Sequence, residues 1–100
     1  MFILIPMDSD DAEEASLTKI EDVKVWAQLL IEEGRVTQTN FNADKDAFED
    51  LSEVLVVSND NEYVWPFIEQ NMMVLVAHTQ RNIDDIVEAY LFRELNELAY

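Results

Sequence analysis

Cysteine is absent from this sequence of 100 residues. Its absence excludes disulfides, thiolate catalysis, cysteine-ligated zinc, and iron–sulfur clusters held by the chain's own thiolates. Histidine occurs once, as His78, so a histidine-rich metal site is excluded as well. The sequence also lacks a phosphate-binding glycine loop, a dinucleotide fingerprint and a spacing that supports a Ser-His-Asp set. We therefore expect that the protein is not an enzyme.

Basic side chains are also scarce. Six Lys and Arg stand against 22 Asp and Glu, which gives a formal net charge of −16, and the six are scattered singly. A nucleic-acid-binding protein needs clustered cations to displace counterions from phosphates, and an anionic membrane surface attracts the same clusters. We therefore expect neither nucleic acid nor membrane as a partner. The charge favours a protein partner with a basic surface.

Long hydrophobic runs are missing too. The apolar start MFILIPM has no basic flank and is too short for a signal peptide or a membrane span, so we expect a cytoplasmic protein. Hydrophobic residues nevertheless make up 49% of the chain, enough material for one core. We predict a single domain over residues 1–100 with an acidic, solvated loop at residues 8–16.

Short apolar runs and period-two patterns predict about five strands. The predicted strands cover residues 2–7, 23–31, 35–41, 52–58 and 72–78. The first, fourth and fifth have continuous apolar centres, which are typical of strands buried on both faces. The second alternates, with its odd positions apolar, and a turn containing Gly34 joins it to the third as a hairpin.

Two to three helices are predicted beside these strands. Asp60 can cap a short helix to about residue 70, in which Pro66 forces a late start. Residues 42–51 hold two helical turns at most. Asn82 caps the strongest helix, whose apolar stripe has helical spacing. The stripe consists of Ile83, Ile86, Val87, Tyr90, Leu91, Leu95 and Leu98. The order of elements predicts an α/β fold with a mixed β-sheet.

Four segments carry a family resemblance. They are the opening strand FILIPMD, the hairpin LLIEEGRV, the strand SEVLVVS and the closing segment NIDDIVEAYLFRELNEL. In their order along the chain and in their amino-acid residues, these segments resemble the dinitrogenase iron–molybdenum cofactor biosynthesis family. The resemblance covers most of the chain and implies a ribonuclease-H-like topology. It also implies a role as a metal-cluster accessory or carrier protein.

The resemblance further implies an iron–molybdenum–sulfur cluster, but the sequence departs from the family where the cluster would be held. Members with metal cofactors usually place a His-Phe-Gly-Arg-like segment between the first two strands. Residues 8–22 stand there in this chain and contain no histidine, glycine or arginine. The glycine-bearing turn after the middle strand is replaced by residues 58–62, whose two carboxylates would repel an anionic cluster. The cofactor is therefore left unknown.

Carboxylates and the single histidine supply the candidate ligands. Asp8, Asp10 and Asp11 have a spacing that could bind a divalent cation, although a solvated loop explains the same run. Asp8 and Asp60 each follow a strand, and a carboxylate pair there could support two-metal phosphodiester chemistry, for which further acids have no obvious source. His78 ends a strand and is the candidate cofactor-binding residue; its alternative is a partly exposed residue bonded to a loop.

Aromatic and methionine side chains cluster around the predicted short helix. Trp65, Phe67, Met72 and Met73 could form a protein-binding patch or pack the helix onto the sheet. Trp26 falls on the more polar face of its strand and is expected to be an exposed edge tryptophan unless a helix covers that face.

Two functions of different classes remain. The first is a metal-cluster accessory or carrier protein, as the resemblance implies. The second is an acidic interaction module that kept the fold, lost the cofactor site and docks to a basic partner protein. We expect a monomer or weak dimer, because the strand at residues 35–41, through which two copies could pair, is polar.

Overall fold

The computed structural model describes residues 1–98 and arranges six strands in one mixed sheet with helices on both faces. The strands are β1 (Phe2–Met7), β2 (Val25–Glu32), β3 (Arg35–Asn42), β4 (Val54–Val57), β5 (Met73–Val76) and β6 (Asn96–Glu97). The helices are α1 (Trp65–Ile68) and α2 (Ile83–Leu91), with 3-10 turns at Ile20–Asp22 and Lys45–Ala47. Within the described residues, no helix has the length and apolar character needed to cross a membrane.

The strand order is β3-β2-β1-β4-β5-β6. β1, β4 and β5 are mutually parallel, β2 runs antiparallel between β1 and β3, and β6 pairs antiparallel with β5. The predicted α/β fold with a mixed sheet is confirmed. The sheet has six strands where about five were predicted, because residues 96–97 were assigned to the last helix.

The core has two layers because side chains of successive strand residues point to opposite faces of the sheet. Ile3 and Ile5 of β1 pack on the face covered by α2, with Ile83 and Ile86. Leu4 packs on the opposite face, which α1 covers. The central strands are therefore apolar at every position, as predicted for strands buried on both faces.

Trp26 follows the alternative in which a helix covers its face of β2. The side chain is 5% exposed, and its ring lies 5.8 Å from the ring of Phe67 in α1. Gln28, two residues along β2, is also buried, and its Nε2 donates to the Asp50 carbonyl and to Ser52 Oγ at 2.9 Å each. The alternation predicted for this strand fails because α1 and the segment before β4 cover its polar face.

Both predicted helices are shorter than expected. α1 covers four residues with Pro66 in its first turn, and its N-cap is Val64 without a side-chain capping bond. The late start caused by Pro66 is confirmed, whereas the predicted capping role of Asp60 is wrong. Asn82 is confirmed as the cap of α2, since its side chain accepts a hydrogen bond from the Asp85 amide.

A residue with a left-handed backbone conformation ends α2, so the helix does not include the last residues of the predicted apolar stripe. Arg93 has φ 58°, its amide donates to the Tyr90 carbonyl, and the Glu94 amide donates to the Ala89 carbonyl. This is a Schellman end, which usually has glycine at the left-handed position. The chain then turns back to form β6. Residues 95 and 98 thus lie outside the helix, although Leu95 still packs on the core.

Candidate protein-docking site

The carboxyl ends of the parallel strands β1, β4 and β5 lie at one edge of the sheet. Ligands of open α/β sheets usually bind at this edge. The loops that follow these strands begin at Asp8, Ser58 and Ala77. All of the ligands predicted from the sequence belong to these three loops.

The acidic loop uses its carboxylates to hold its own backbone. Asp8 Oδ1 accepts a hydrogen bond of 2.8 Å from the Ser16 amide, and Asp11 Oδ1 accepts bonds from the amides of residues 13 and 14. Asp10 is exposed. Across residues 1–98, no three His, Asp or Glu side chains are grouped so as to hold a metal ion. Metal binding by Asp8, Asp10 and Asp11 stays a prediction.

Asp60 and His78 come together at the ends of β4 and β5. Both line a cleft of about 340 Å³ with Asn96 and Glu97 of β6. The His78 side chain is exposed, and its backbone carbonyl accepts a hydrogen bond from Arg81. Asp8 does not line this cleft, so the structure pairs Asp60 with His78 rather than with Asp8. A ligand role for His78 stays a prediction.

The loop after β4 folds around the carboxylate of Glu62. Oε2 accepts hydrogen bonds from the Ser58 amide at 2.8 Å and from the Ser58 hydroxyl at 2.9 Å. Oε1 accepts a hydrogen bond from the backbone amide of Ile20. Sequence analysis counted Glu62 only as a repulsive charge. The spacing of four residues between Ser58 and Glu62 could have indicated their hydrogen bond. The contact of Glu62 with Ile20 has no corresponding pattern in the sequence.

This arrangement does not fit an anionic metal–sulfur cluster. The Ser58 amide and hydroxyl, which could receive an anion, already bind the chain's own carboxylate. The Arg81 guanidinium donates to the carbonyls of Ala77, His78 and Gln80, so it is committed to its own loop. Apart from the single imidazole of His78, the candidate ligands of this edge are carboxylates, which suit hard cations rather than a sulfur-bridged cluster.

A different cleft, of about 440 Å³, opens on the α1 face of the sheet. Its aromatic side chains are Trp26, Tyr63 and Phe67, and the polar side chains that line it include Asp44, Lys45 and Asp46. We call it the aromatic cleft. Trp26 and Phe67 are buried, whereas Tyr63 is 71% exposed. Sequence analysis did not bring these residues together, because they come from three separate segments of the chain.

A cation of the chain already lies in the aromatic cleft. Lys45 Nζ is 5.3 Å from the centre of the Phe67 ring and 3.1 Å from Asp46 Oδ1. The Lys45–Asp46 pair is the one ion pair among the described residues. An aromatic face and a carboxylate are the two groups that attract an ammonium ion. The cleft therefore has the chemistry of a site for a basic side chain.

Glu62 also connects two segments that line the aromatic cleft. Ile20 belongs to one of them, and Tyr63, the residue after Glu62, belongs to the other. The hydrogen bonds of Glu62 to Ile20 and Ser58 hold these segments together. These bonds restrain the two segments before any partner arrives, and such restraint lowers the entropy lost on binding.

The predicted aromatic and methionine patch is divided in the structure. Phe67 and Met72 are buried and pack α1 onto the sheet, as the packing alternative predicted. Trp65 and Met73 are exposed, but they line different clefts. Of the four residues, only Phe67 lines the aromatic cleft.

Comparison with known proteins identifies the fold. A scan against protein-family models finds no match, and no curated protein matches the sequence. The crystal structure of a "putative dinitrogenase" from Methanocaldococcus jannaschii matches with 17% identity, over 99% of this chain and 95% of that chain, at a TM-score of 0.78. This chain has its fold.

Two further solved structures agree. The NMR structure of the same archaeal protein has 16% identity and a TM-score of 0.77, covering 100% of this chain and 94% of that chain. The crystal structure of PH0822 has 16% identity and a TM-score of 0.73, covering 100% of this chain and 97% of that chain. The resemblance predicted from sequence is thus supported at the level of the fold. Identity this low carries no function with it.

Proposed function

We propose that this chain is a small acidic binding protein of the cytoplasm that docks to a basic surface of a partner protein. The observation that supports the proposal is the unneutralised charge. The net charge is −16, and the Lys45–Asp46 pair is the one ion pair formed within residues 1–98. The other carboxylates of this part of the chain form no ion pair with a lysine or arginine side chain. A cationic partner would supply the missing countercharge.

The negative charge of the chain affects both the rate at which a basic partner associates and the stability of the complex that forms. Before contact, the field of the acidic protein steers a basic surface toward it and raises the association rate. After contact, carboxylates at the interface form charge-assisted hydrogen bonds with lysine or arginine side chains. Neither effect needs a reacting group, and we propose binding rather than catalysis. Two copies of charge −16 repel each other, so the active form is a monomer or weak dimer.

A lysine-rich synthetic peptide, with a glutamate-rich peptide of the same length as the control, tests this proposal by calorimetry. The basic peptide is expected to bind at low salt, and roughly 0.5 M NaCl is expected to weaken its binding by about tenfold or more, because salt screens exposed charges. No binding of the basic peptide at low salt would contradict the proposal, and so would binding that salt leaves unchanged.

A metal-cluster accessory or carrier role is the second candidate. The likeness to the archaeal structure described as a dinitrogenase is the observation that favours it. The donor chemistry at the sheet edge argues against it, since the loop donors bind Glu62 and the chain has no thiolate.

Native mass spectrometry on protein purified without oxygen, and supplied with iron, molybdate and sulfide, separates the two candidates. A mass excess that matches a metal–sulfur species supports the carrier role, and its loss in His78→Ala identifies His78 as a ligand. A bare mass removes the carrier role. The same spectrum shows whether the protein is a monomer or a dimer.

A further inference from the structure

We infer that the aromatic cleft is where a lysine or arginine side chain of the basic partner binds. The inference rests on the proposed function and adds the place and the chemistry of recognition. The residues that carry it are Tyr63 and Phe67, which supply aromatic faces, and Asp44 and Asp46, which supply carboxylates. The partner is a protein segment that presents a cationic side chain.

The first argument is the combination of groups in one cleft. Tyr63 and Phe67 lie on the same cleft as the carboxylates of Asp44 and Asp46. A cation over an aromatic face is attracted by the ring quadrupole, and a carboxylate beside it adds a charge-assisted hydrogen bond. Long basic side chains also have an apolar stem, which the exposed ring of Tyr63 can contact.

The second argument is the position of Lys45. Its ammonium group is in contact with both kinds of group at once, the Phe67 ring at 5.3 Å and the Asp46 carboxylate at 3.1 Å. Lys45 therefore shows how a cation is held in this cleft. Because it is a residue of the chain itself, it competes with a cation from outside for the same ring and carboxylate. Its removal should make both available to the partner.

The third argument excludes a second copy of this chain as the occupant. A second copy carries the same charge of −16, and its six cations are scattered singly. Its approach would bring acidic surfaces together before a single lysine reached the cleft. A basic segment from another protein lowers the electrostatic energy over the whole approach, so the charge favours that occupant.

Two pairs of variants test the inference with the lysine-rich peptide. Tyr63→Ala removes an exposed ring from the cleft, and Phe92→Ala removes an equally exposed ring, 72% against 71%, that does not line the cleft. Tyr63→Ala is expected to weaken binding by roughly fivefold, whereas Phe92→Ala leaves it unchanged. Tyr63→Phe keeps the aromatic face and is expected to bind like the native chain.

The second pair compares two variants that each remove one positive charge. Lys45→Ala is expected to tighten binding by roughly threefold beyond the effect of Arg35→Ala, which removes one positive charge from the exposed hairpin end of β3. Circular dichroism shows that each variant is folded. Amide NMR titration is expected to move the signals of Tyr63, Lys45 and Phe67 first.

The outcomes keep the two proposals distinguishable. If the peptide binds in a salt-dependent way but Tyr63→Ala behaves like Phe92→Ala, the aromatic cleft is overturned and the proposed function stands. If Lys45→Ala and Arg35→Ala change the affinity for the peptide equally, the inferred competition by Lys45 is overturned. If the native chain does not bind the peptide at low salt, the proposed function itself fails.

Discussion

Glu62 and Ile20 lie 42 residues apart in the sequence and are joined by a hydrogen bond from the Ile20 amide to the Glu62 carboxylate. The same carboxylate accepts two hydrogen bonds from Ser58. One side chain therefore connects the segment after the acidic loop to the loop after β4. It also occupies donors that an anionic ligand would otherwise use, which argues against a role as a cluster carrier.

Replacing Glu62 tests this connection. Glu62→Ala is expected to lower the free energy of unfolding by about 2 kcal/mol, because partly buried donors of Ser58 and Ile20 lose a charged acceptor. Glu62→Gln should lose less, since its amide oxygen can still accept. Urea denaturation measures both. Glu21→Ala is the control, because Glu21 is an exposed carboxylate that lines a cleft with Glu62 but makes no such bonds, and equal losses at the two positions would contradict the prediction.

Trp26 is expected to behave as a core residue. Trp26→Ala should lower the free energy of unfolding by about 3–5 kcal/mol, because it leaves a cavity against Phe67. Leu51→Ala, at a side chain that is 90% exposed, should change it by less than about 0.5 kcal/mol. In a Trp65→Phe background, Trp26 alone fluoresces, and its emission is expected to be blue-shifted until urea unfolds the chain. Water-like emission from the folded protein would sink the prediction.

Arg93 holds the left-handed position at the end of α2. Arg93→Gly is expected to raise the free energy of unfolding by about 0.5–1 kcal/mol, because glycine adopts φ 58° without steric cost. Glu94→Gly has no such compensation and should be neutral or destabilising. Thermal unfolding of the two variants checks the difference. A loss of stability in Arg93→Gly would mean that the arginine side chain contributes more than the backbone strain costs.

Salt is expected to stabilise the folded protein. Charges that sum to −16 repel each other in the compact state, and NaCl screens that repulsion. The melting temperature should rise by about 5 °C between low salt and roughly 0.5 M NaCl, which corresponds to about 1 kcal/mol for a chain of this size. The double variant Glu13→Gln, Glu14→Gln removes two exposed charges and should show a smaller rise. A melting temperature that falls with salt would contradict this account.

The fold was largely predictable from local patterns. Apolar centres identified β1, β4 and β5, the turn at Gly34 identified the hairpin, and Asn82 identified the start of α2. The end of α2 was not predictable, because an arginine holds the left-handed position where glycine is the usual signal. The sequence left open whether Trp26 is exposed or covered, because burial of that face depends on α1, a helix too short to have a periodic pattern.

The candidate site was predictable only in part. Sequence analysis identified the sheet edge and the acidic character of its loops, but it did not identify the Glu62 hydrogen bonds or the aromatic cleft. Trp26, Lys45 and Tyr63 lie far apart in sequence, and no spacing rule connects them. Side-chain contacts of this kind depend on how loops cross a sheet face, which local propensity does not specify.

The sequence by itself determined the chemical limits of this protein. Without cysteine it has no thiolate chemistry, and its charge of −16 favours cationic partners. The tertiary structure decided which carboxylates face solvent and which are used internally: Glu62 binds backbone and hydroxyl donors, whereas Asp46 pairs with a lysine held over an aromatic ring. The reason is that net charge is a sum over residues, while the role of each charge depends on the donors and rings that folding brings beside it.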